Sequence, residues 1–201
     1  MIKNKRIVIY SLLLNLFLCG IIIYQNWDII KPKEKVKVVF WGDSITASGN
    51  WNKLLNRNDV LNAGTKGYTT LYLMSGFDDA ILKYKPDTCY LMIGINDIRL
   101  GVPMSRTKSN YSAIIDSLVK YKITPVIQST LYTTDNKINC SVDTLNGYIK
   151  AIAANKNIKY LDVNARISNN HVLTKKYSLD GLHINPLAYL KWVGLIKIIQ
   201  H

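Results

Sequence analysis

The 201-residue sequence is poor in histidine, with three, in cysteine, with three, and in acid, with 13 Asp+Glu against 26 Lys+Arg. The cysteines, Cys19, Cys89 and Cys140, are odd in number and form no Cys-x-x-Cys pair, so the signatures of a disulfide framework and of a structural zinc site are both missing. Cys19, inside an apolar segment, and Cys89, in a strand-like run, read as small apolar packing residues, with a Cys89 to Cys140 bridge as the less favoured alternative. The shortage of acid leaves a formal net charge of +13, but the lysines are scattered. No zinc-finger spacing, RNP-like aromatic strand or basic heptad region gives that charge a docking geometry. Nucleic acid is therefore not an expected partner. The reading is a solvated lysine-rich surface, with attraction to anionic lipid head groups or an acidic glycan as the next alternative. There is no internal repeat or low-complexity tract, and the length suits one domain with a full hydrophobic core.

One long apolar run is present. Lys3, Lys5 and Arg6 precede residues 7–24, which are interrupted only by Ser11, Asn15 and Gly20. As a helix this run would rise roughly 27 Å, enough to cross a bilayer. Basic residues before it and the remaining chain after it predict an N-terminal transmembrane signal anchor over residues 1–25, with the rest of the protein on the extracytoplasmic side. A cleaved secretory signal is the competing reading, but no small-x-small site follows the apolar core, where the sequence runs Tyr24-Gln25-Asn26-Trp27. A lipoprotein reading centred on Cys19 has Leu18 where a small residue is expected. Residues 26–35 read as a polar tether in which Pro32 prevents helix continuation.

From residue 36 to 201, short β-branched runs alternate with longer mixed or amphipathic ones, which predicts a parallel sheet covered by helices: a three-layer α/β/α sandwich. The strand candidates are 36–41, 60–62, 88–93, 124–128 and 159–163; the helix candidates are 50–56, 70–84, 105–121, 143–155 and 186–199. Pro186 suits the first turn of the last helix, where its missing N–H costs nothing. Ligands of such sheets bind at the carboxyl ends of the strands. Gly42-Asp43-Ser44, the Gly64 to Gly67 turn and Gly94-Ile95-Asn96-Asp97 follow the first three strands, and Asp180-Gly181-Leu182-His183 stands just ahead of the last helix.

A serine hydroxyl is a poor nucleophile until a base takes its proton, and the base needs a third group to fix its tautomer. Ser44 occupies a tight strand-to-helix turn beside Gly42. Of the three histidines, His183 has an acid three residues earlier, Asp180; His171 has none nearby on its N-terminal side, and His201 is terminal. Donors for an oxyanion are available from the Ser44 and Gly67 N–H groups and the Asn96 carboxamide. Each piece alone is a weak signal; their joint appearance in this order is a strong one.

These blocks resemble the SGNH hydrolases, also called GDSL-type esterases, over nearly the whole chain after the predicted anchor. Gly42-Asp43-Ser44-Ile45 resembles the first block, with isoleucine where leucine is commoner; Asn62 to Gly67, the second; Gly94 to Asp97, the third; and Asp180 to His183 followed by Asn185-Pro186, the fifth. The resemblance implies a flavodoxin-like fold and metal-free, cofactor-free ester hydrolysis. It assigns Ser44, Asp180 and His183 to a catalytic triad and Ser44, Gly67 and Asn96 to an oxyanion hole. The absence of a Gly-x-Ser-x-Gly elbow argues against the larger α/β-hydrolase fold.

Asp43 and Asp97 read as turn braces, Asn62 as a group ordering the Gly64 to Gly67 loop, and Asp162 as the substitute for Asp180 if that residue fails. Arg99 and Arg106 read as solvated, and the tyrosines between 68 and 72 as core or pocket wall. The expected activity is hydrolysis of short acyl esters, acetyl first, of a small molecule or a cell-envelope glycan. An acyltransferase using the same site, and a noncatalytic envelope-binding module, are the rival expectations; oligomeric state is open.

Overall fold

The computed structural model describes residues 2–25 and 35–199 and divides the chain into two units, Met1–Glu34 and Lys35–His201. The first contains helix α1, Ile2–Gln25, whose described side chains, from Tyr10 on, are all exposed. Among the described residues no helix is long and apolar enough to cross a membrane. The predicted span begins at residue 7, before the first described side chain, and all but the last residue of the predicted tether lies outside the described residues.

The second unit is built on five parallel strands: β1 Val38–Gly42, β2 Val60–Gly64, β3 Thr88–Met92, β4 Thr124–Gln128 and β5 Lys159–Leu161, in the spatial order β2-β1-β3-β4-β5. Successive strands run parallel because helices cross back over the sheet: α2 Ser44–Ala47, α3 Trp51–Leu55, α4 Thr70–Ser75, α5 Ile95–Arg99, α6 Met104–Lys120, α7 Asn136–Asn155, α8 Asn164–Ile167 and α9 Pro186–Ile199. The central strands are buried on both faces, as their continuous apolar sequences require. Alternate residues of β1 divide between two cores: Val38 and Phe40 face one with Trp51, Tyr90 and Trp192, whereas Val39 and Trp41 face the other with Leu91, Tyr111 and Ile115. In the first core Phe40 stacks between Trp51 and Tyr90, with ring centroids 4.0 and 4.7 Å apart; such pairs contribute about 0.5–1.5 kcal/mol beyond their burial. This is the three-layer sandwich that the alternation predicted.

Two helix ends differ from the sequence reading by more than two residues, and short elements appear that it did not predict. The helix predicted over 70–84 ends at Ser75, because Gly76 caps it, and resumes as a π-helical turn over Asp78–Leu82. The helix predicted from residue 143 begins at Asn136, where the Asp135 carboxylate accepts from Lys137 N–H at 2.9 Å. A short antiparallel pair, β6 Ser168–Asn169 and β7 Val172–Leu173, lies where no strand was predicted. Cys89 is fully buried as expected, and burial pushes its thiol up. Cys19 and Cys140 are exposed and all three thiols are free, so Cys19 is no core residue of its unit and the Cys89 to Cys140 bridge does not form.

Candidate active site

Strand β1 delivers the chain to the upper edge of the sheet at Gly42, and there the backbone has no room for a side chain. A Cβ on Gly42 would stand 2.1 Å from Met92 O and 2.4 Å from Thr46 Oγ1. The next two residues start α2, with Asp43 as its N-cap accepting from Ile45 N–H at 3.0 Å. Ser44 is thereby the first residue of a four-residue helix. Its N–H has no intrahelical partner by position, and no partner among the described residues.

Three successive carbonyls of this short helix are gripped from outside. Ile45 O accepts from Tyr189 Oη at 2.6 Å, Thr46 O from Trp51 Nε1 at 2.9 Å, and Ala47 O from Asn62 Nδ2 at 2.9 Å. Asn62 also donates to Gly49 O and accepts from Gly64 N–H, so one amide ties the nucleophile turn to the start of the second loop. A helix this short does not sustain itself; its geometry is set by these donors.

Across from Ser44 stands the loop between the Lys175–Tyr177 turn and α9. His183 Nε2 is 3.0 Å from Ser44 Oγ, and His183 Nδ1 is 2.7 Å from Asp180 Oδ2. The other carboxylate oxygen accepts the N–H groups of His183 at 2.7 Å and Leu182 at 3.0 Å. The His183 ring beside it, followed by these two amides, holds the Asp180 carboxyl below the usual carboxylate range. A neutral His183 that donates Nδ1–H to Asp180 leaves Nε2 as the acceptor for the Ser44 proton. The loop is seated by Thr134 N–H donating to Gly181 O at 2.8 Å and by Asn185 N–H donating to Tyr177 O at 2.9 Å.

The remaining loops bring the candidate oxyanion donors. Gly67 has φ of +78°, and a Cβ there would meet nothing within 4 Å, so the peptide faces open space. Its N–H has no partner among the described residues. Asn96 is buried at the start of α5 and donates one Nδ2 hydrogen to Tyr68 O at 2.9 Å, which leaves the second for another acceptor. The Asp97 carboxylate engages its own backbone N–H and also accepts from Thr70 N–H at 2.9 Å and Thr70 Oγ1 at 2.6 Å, clamping the start of α4. Burial raises the Asp97 carboxyl, and burial likewise pushes Asp43 up to about 7 against the opposing Ile45 N–H.

Asp162 is exposed and makes no contact with His183, so it does not stand in for Asp180. Arg99 and Arg106 are exposed. Tyr189 and Trp51, which seat α2, were missed in the sequence, because partners 144 and 5 residues from their acceptors carry no local signature. His171 has an acid after all: Asp143 of α7 lies 2.8 Å from its Nδ1, and Tyr132 Oη contacts both groups. That cluster touches none of the triad residues.

The GDSL-like Lipase/Acylhydrolase family profile matches residues 40–191. The chain is 28% identical over 191 residues to a multidomain esterase of Ruminococcus flavefaciens, covering 84% of this chain and 23% of that protein. It is 24% identical over 168 residues to an N-acylneuraminate cytidylyltransferase of Streptococcus agalactiae serotype V, covering 82% of this chain and 38% of the other. It thus spans well under half the length of both. The crystal structure of the acetyl xylan esterase AlAXEase superposes with a TM-score of 0.71 at 20% identity, over 82% of this chain and 99% of that one, a likeness of fold. On the match across 40–191, the chain belongs to the GDSL-like Lipase/Acylhydrolase family, the SGNH hydrolases.

Proposed function

We propose that the protein is a membrane-anchored serine esterase that removes short acyl groups, acetyl first, from a cell-envelope glycan through an acyl-serine intermediate. The observation that carries the chemistry is the unbroken relay from Ser44 Oγ through His183 to Asp180, at 3.0 and 2.7 Å. His183 Nε2 takes the Ser44 proton as Oγ bonds to the ester carbonyl carbon. The carbonyl oxygen, now anionic, is met by the Ser44 and Gly67 N–H groups and Asn96 Nδ2. The C–O bond to the alcohol breaks, and that alcohol leaves with the proton from His183. A water gives its proton to the same nitrogen, attacks the acyl-serine, and the acid departs as Ser44 is reprotonated.

One similar protein is an acetyl xylan esterase and another bears N-acylneuraminate in its name, which supports a short acyl group carried on a sugar. Placement at a membrane is supported by the basic residues at 3, 5 and 6 ahead of the apolar run. The test uses the full chain in mild detergent with p-nitrophenyl acetate, butyrate and octanoate. Turnover should fall with acyl length and be lost in Ser44→Ala and His183→Ala variants that keep the wild-type circular dichroism spectrum. A folded wild-type protein inert on all three esters would remove the simple esterase reading and favour acyl transfer to a sugar acceptor.

A further inference from the structure

The second loop has another face, which the relay does not use. Between Thr65 and the π-helical turn lies an open cleft of about 280 Å³, walled by Thr65, Tyr68, Gly76, Asp79 and Tyr84 above the edge strand β2. Its volume is at the lower limit of small-molecule sites, which suits one ring better than a long chain. The ring of Tyr72, itself 58% exposed, lies tilted against Tyr68 with centroids 6.0 Å apart and extends the aromatic surface. The half-buried phenols of Tyr68 and Tyr84, beside a carboxylate and a hydroxyl, form a surface with two chemistries.

We propose that this cleft is a subsite for a pyranose ring of the glycan on which Ser44 acts. A pyranose has an apolar C–H face that packs on an aromatic ring and a rim of hydroxyls that donate to a carboxylate. The cleft presents both, the phenol rings of Tyr68 and Tyr84 and the exposed carboxylate of Asp79. An acyl chain is excluded by the same carboxylate, since contact with an alkyl group would strip Asp79 of water without giving it a donor. The cleft is coupled to the reacting centre through the backbone. Thr65 N–H donates to Gly42 O at 2.9 Å, two residues before the nucleophile, and Tyr68 O is the acceptor that orients Asn96 at 2.9 Å. One residue, Tyr68, therefore walls the cleft with its ring and sets the oxyanion amide with its carbonyl.

The proposal rests on the esterase reading, so the experiment separates the two. The full chain in mild detergent is given O-acetylated xylobiose, O-acetylated N,N′-diacetylchitobiose and p-nitrophenyl acetate, beside Asp79→Ala and Tyr72→Ala. Both substitutions are at exposed positions; thermal melts check that each variant folds. The ratio of kcat/KM on an acetylated disaccharide to that on p-nitrophenyl acetate should fall about tenfold or more, through KM, in both variants. In parallel, the unacetylated disaccharides are titrated against Ser44→Ala while tyrosine ring resonances are followed by NMR. Shifts that disappear on adding Asp79→Ala support the subsite without any turnover. An unchanged ratio for both sugars, or no ring shifts, overturns the subsite while esterase activity on p-nitrophenyl acetate stands. Ring shifts in a protein that cleaves no ester overturn the esterase reading and leave the subsite standing.

Discussion

Two histidines of this protein sit against a carboxylate at nearly the same distance, 2.7 Å for His183 with Asp180 and 2.8 Å for His171 with Asp143. The Asp180 pair presents the other ring nitrogen to a serine hydroxyl held at a helix start. The Asp143 pair presents none to a nucleophile; it shares a tyrosine hydroxyl and joins the turn between β6 and β7 to helix α7. Their acids also arrive differently. Asp180 is three residues from its histidine and accepts two backbone N–H groups of the same loop, whereas Asp143 comes from 28 residues away. A histidine beside an acid is therefore only an oriented imidazole. It becomes a base when a separate element places a proton to be taken at its far nitrogen.

The sharpest way to break that comparison is to convert each acid to its amide. Asp180→Asn should lower kcat on p-nitrophenyl acetate by about 10²- to 10⁴-fold, because the amide no longer fixes the productive tautomer. Asp143→Asn should leave kcat within about twofold, since a surface pair of this kind is worth at most about 1 kcal/mol. Equal losses in the two variants would mean that the Tyr132 cluster belongs to the reaction. A second test asks whether the His183 pair acts with an oxyanion hole. Asn96→Ala should cost about 10²- to 10³-fold in kcat with little change in KM, measured on the same ester.

The smallest expected effect concerns the acids' pH dependence. Asp43, raised to about 7 by burial, keeps a proton in the fold that the unfolded chain releases near pH 4. Stability should thus decline as pH rises from about 4 to about 7 and level off above. Asp43→Asn, which keeps an acceptor for Ile45 N–H, should remove that decline; the gain is on the order of 1–3 kcal/mol at pH 8 and near zero at pH 4, read from urea melts. Asp180 works with the opposite sign: its lowered carboxyl favours the fold above the ordinary carboxylate range and loses that contribution as pH falls. Because its side chain is 55% exposed, solvent screens the effect. A wild-type stability that rises from pH 4 to 7 would count against a protonated Asp43.

Much of this could be read before any coordinates. Strand β4 occupies the predicted 124–128, and the blocks at 42–44, 94–97 and 180–183 stand at strand ends or just before a helix, as their turn residues imply. These are local signals, made by neighbours in sequence. The break at Gly76 and the cap at Asp135 were also local, and both residues are of kinds that end or begin helices. What was not legible is long-range: Tyr189 on Ile45 O, Thr134 on Gly181 O, and Asp143 on His171. Hydrogen bonds between distant segments leave no period or spacing behind. For the same reason the turn-brace reading of Asp97 leaves out its bonds to Thr70, 27 residues away.

The grip on helix α2 also has a consequence for how the protein comes into being. The nucleophile is complete in the chain at Ser44, yet its base lies 139 residues later, and the hydroxyl that holds Ile45 O comes 144 residues after that carbonyl. A growing chain emerges in order, amino end first. Until those residues have been made, Ser44 is an ordinary alcohol beside a carbonyl awaiting Tyr189. The contacts of Ser44 with His183 and of Ile45 O with Tyr189 can close only after the segment carrying that base and α9 has been made.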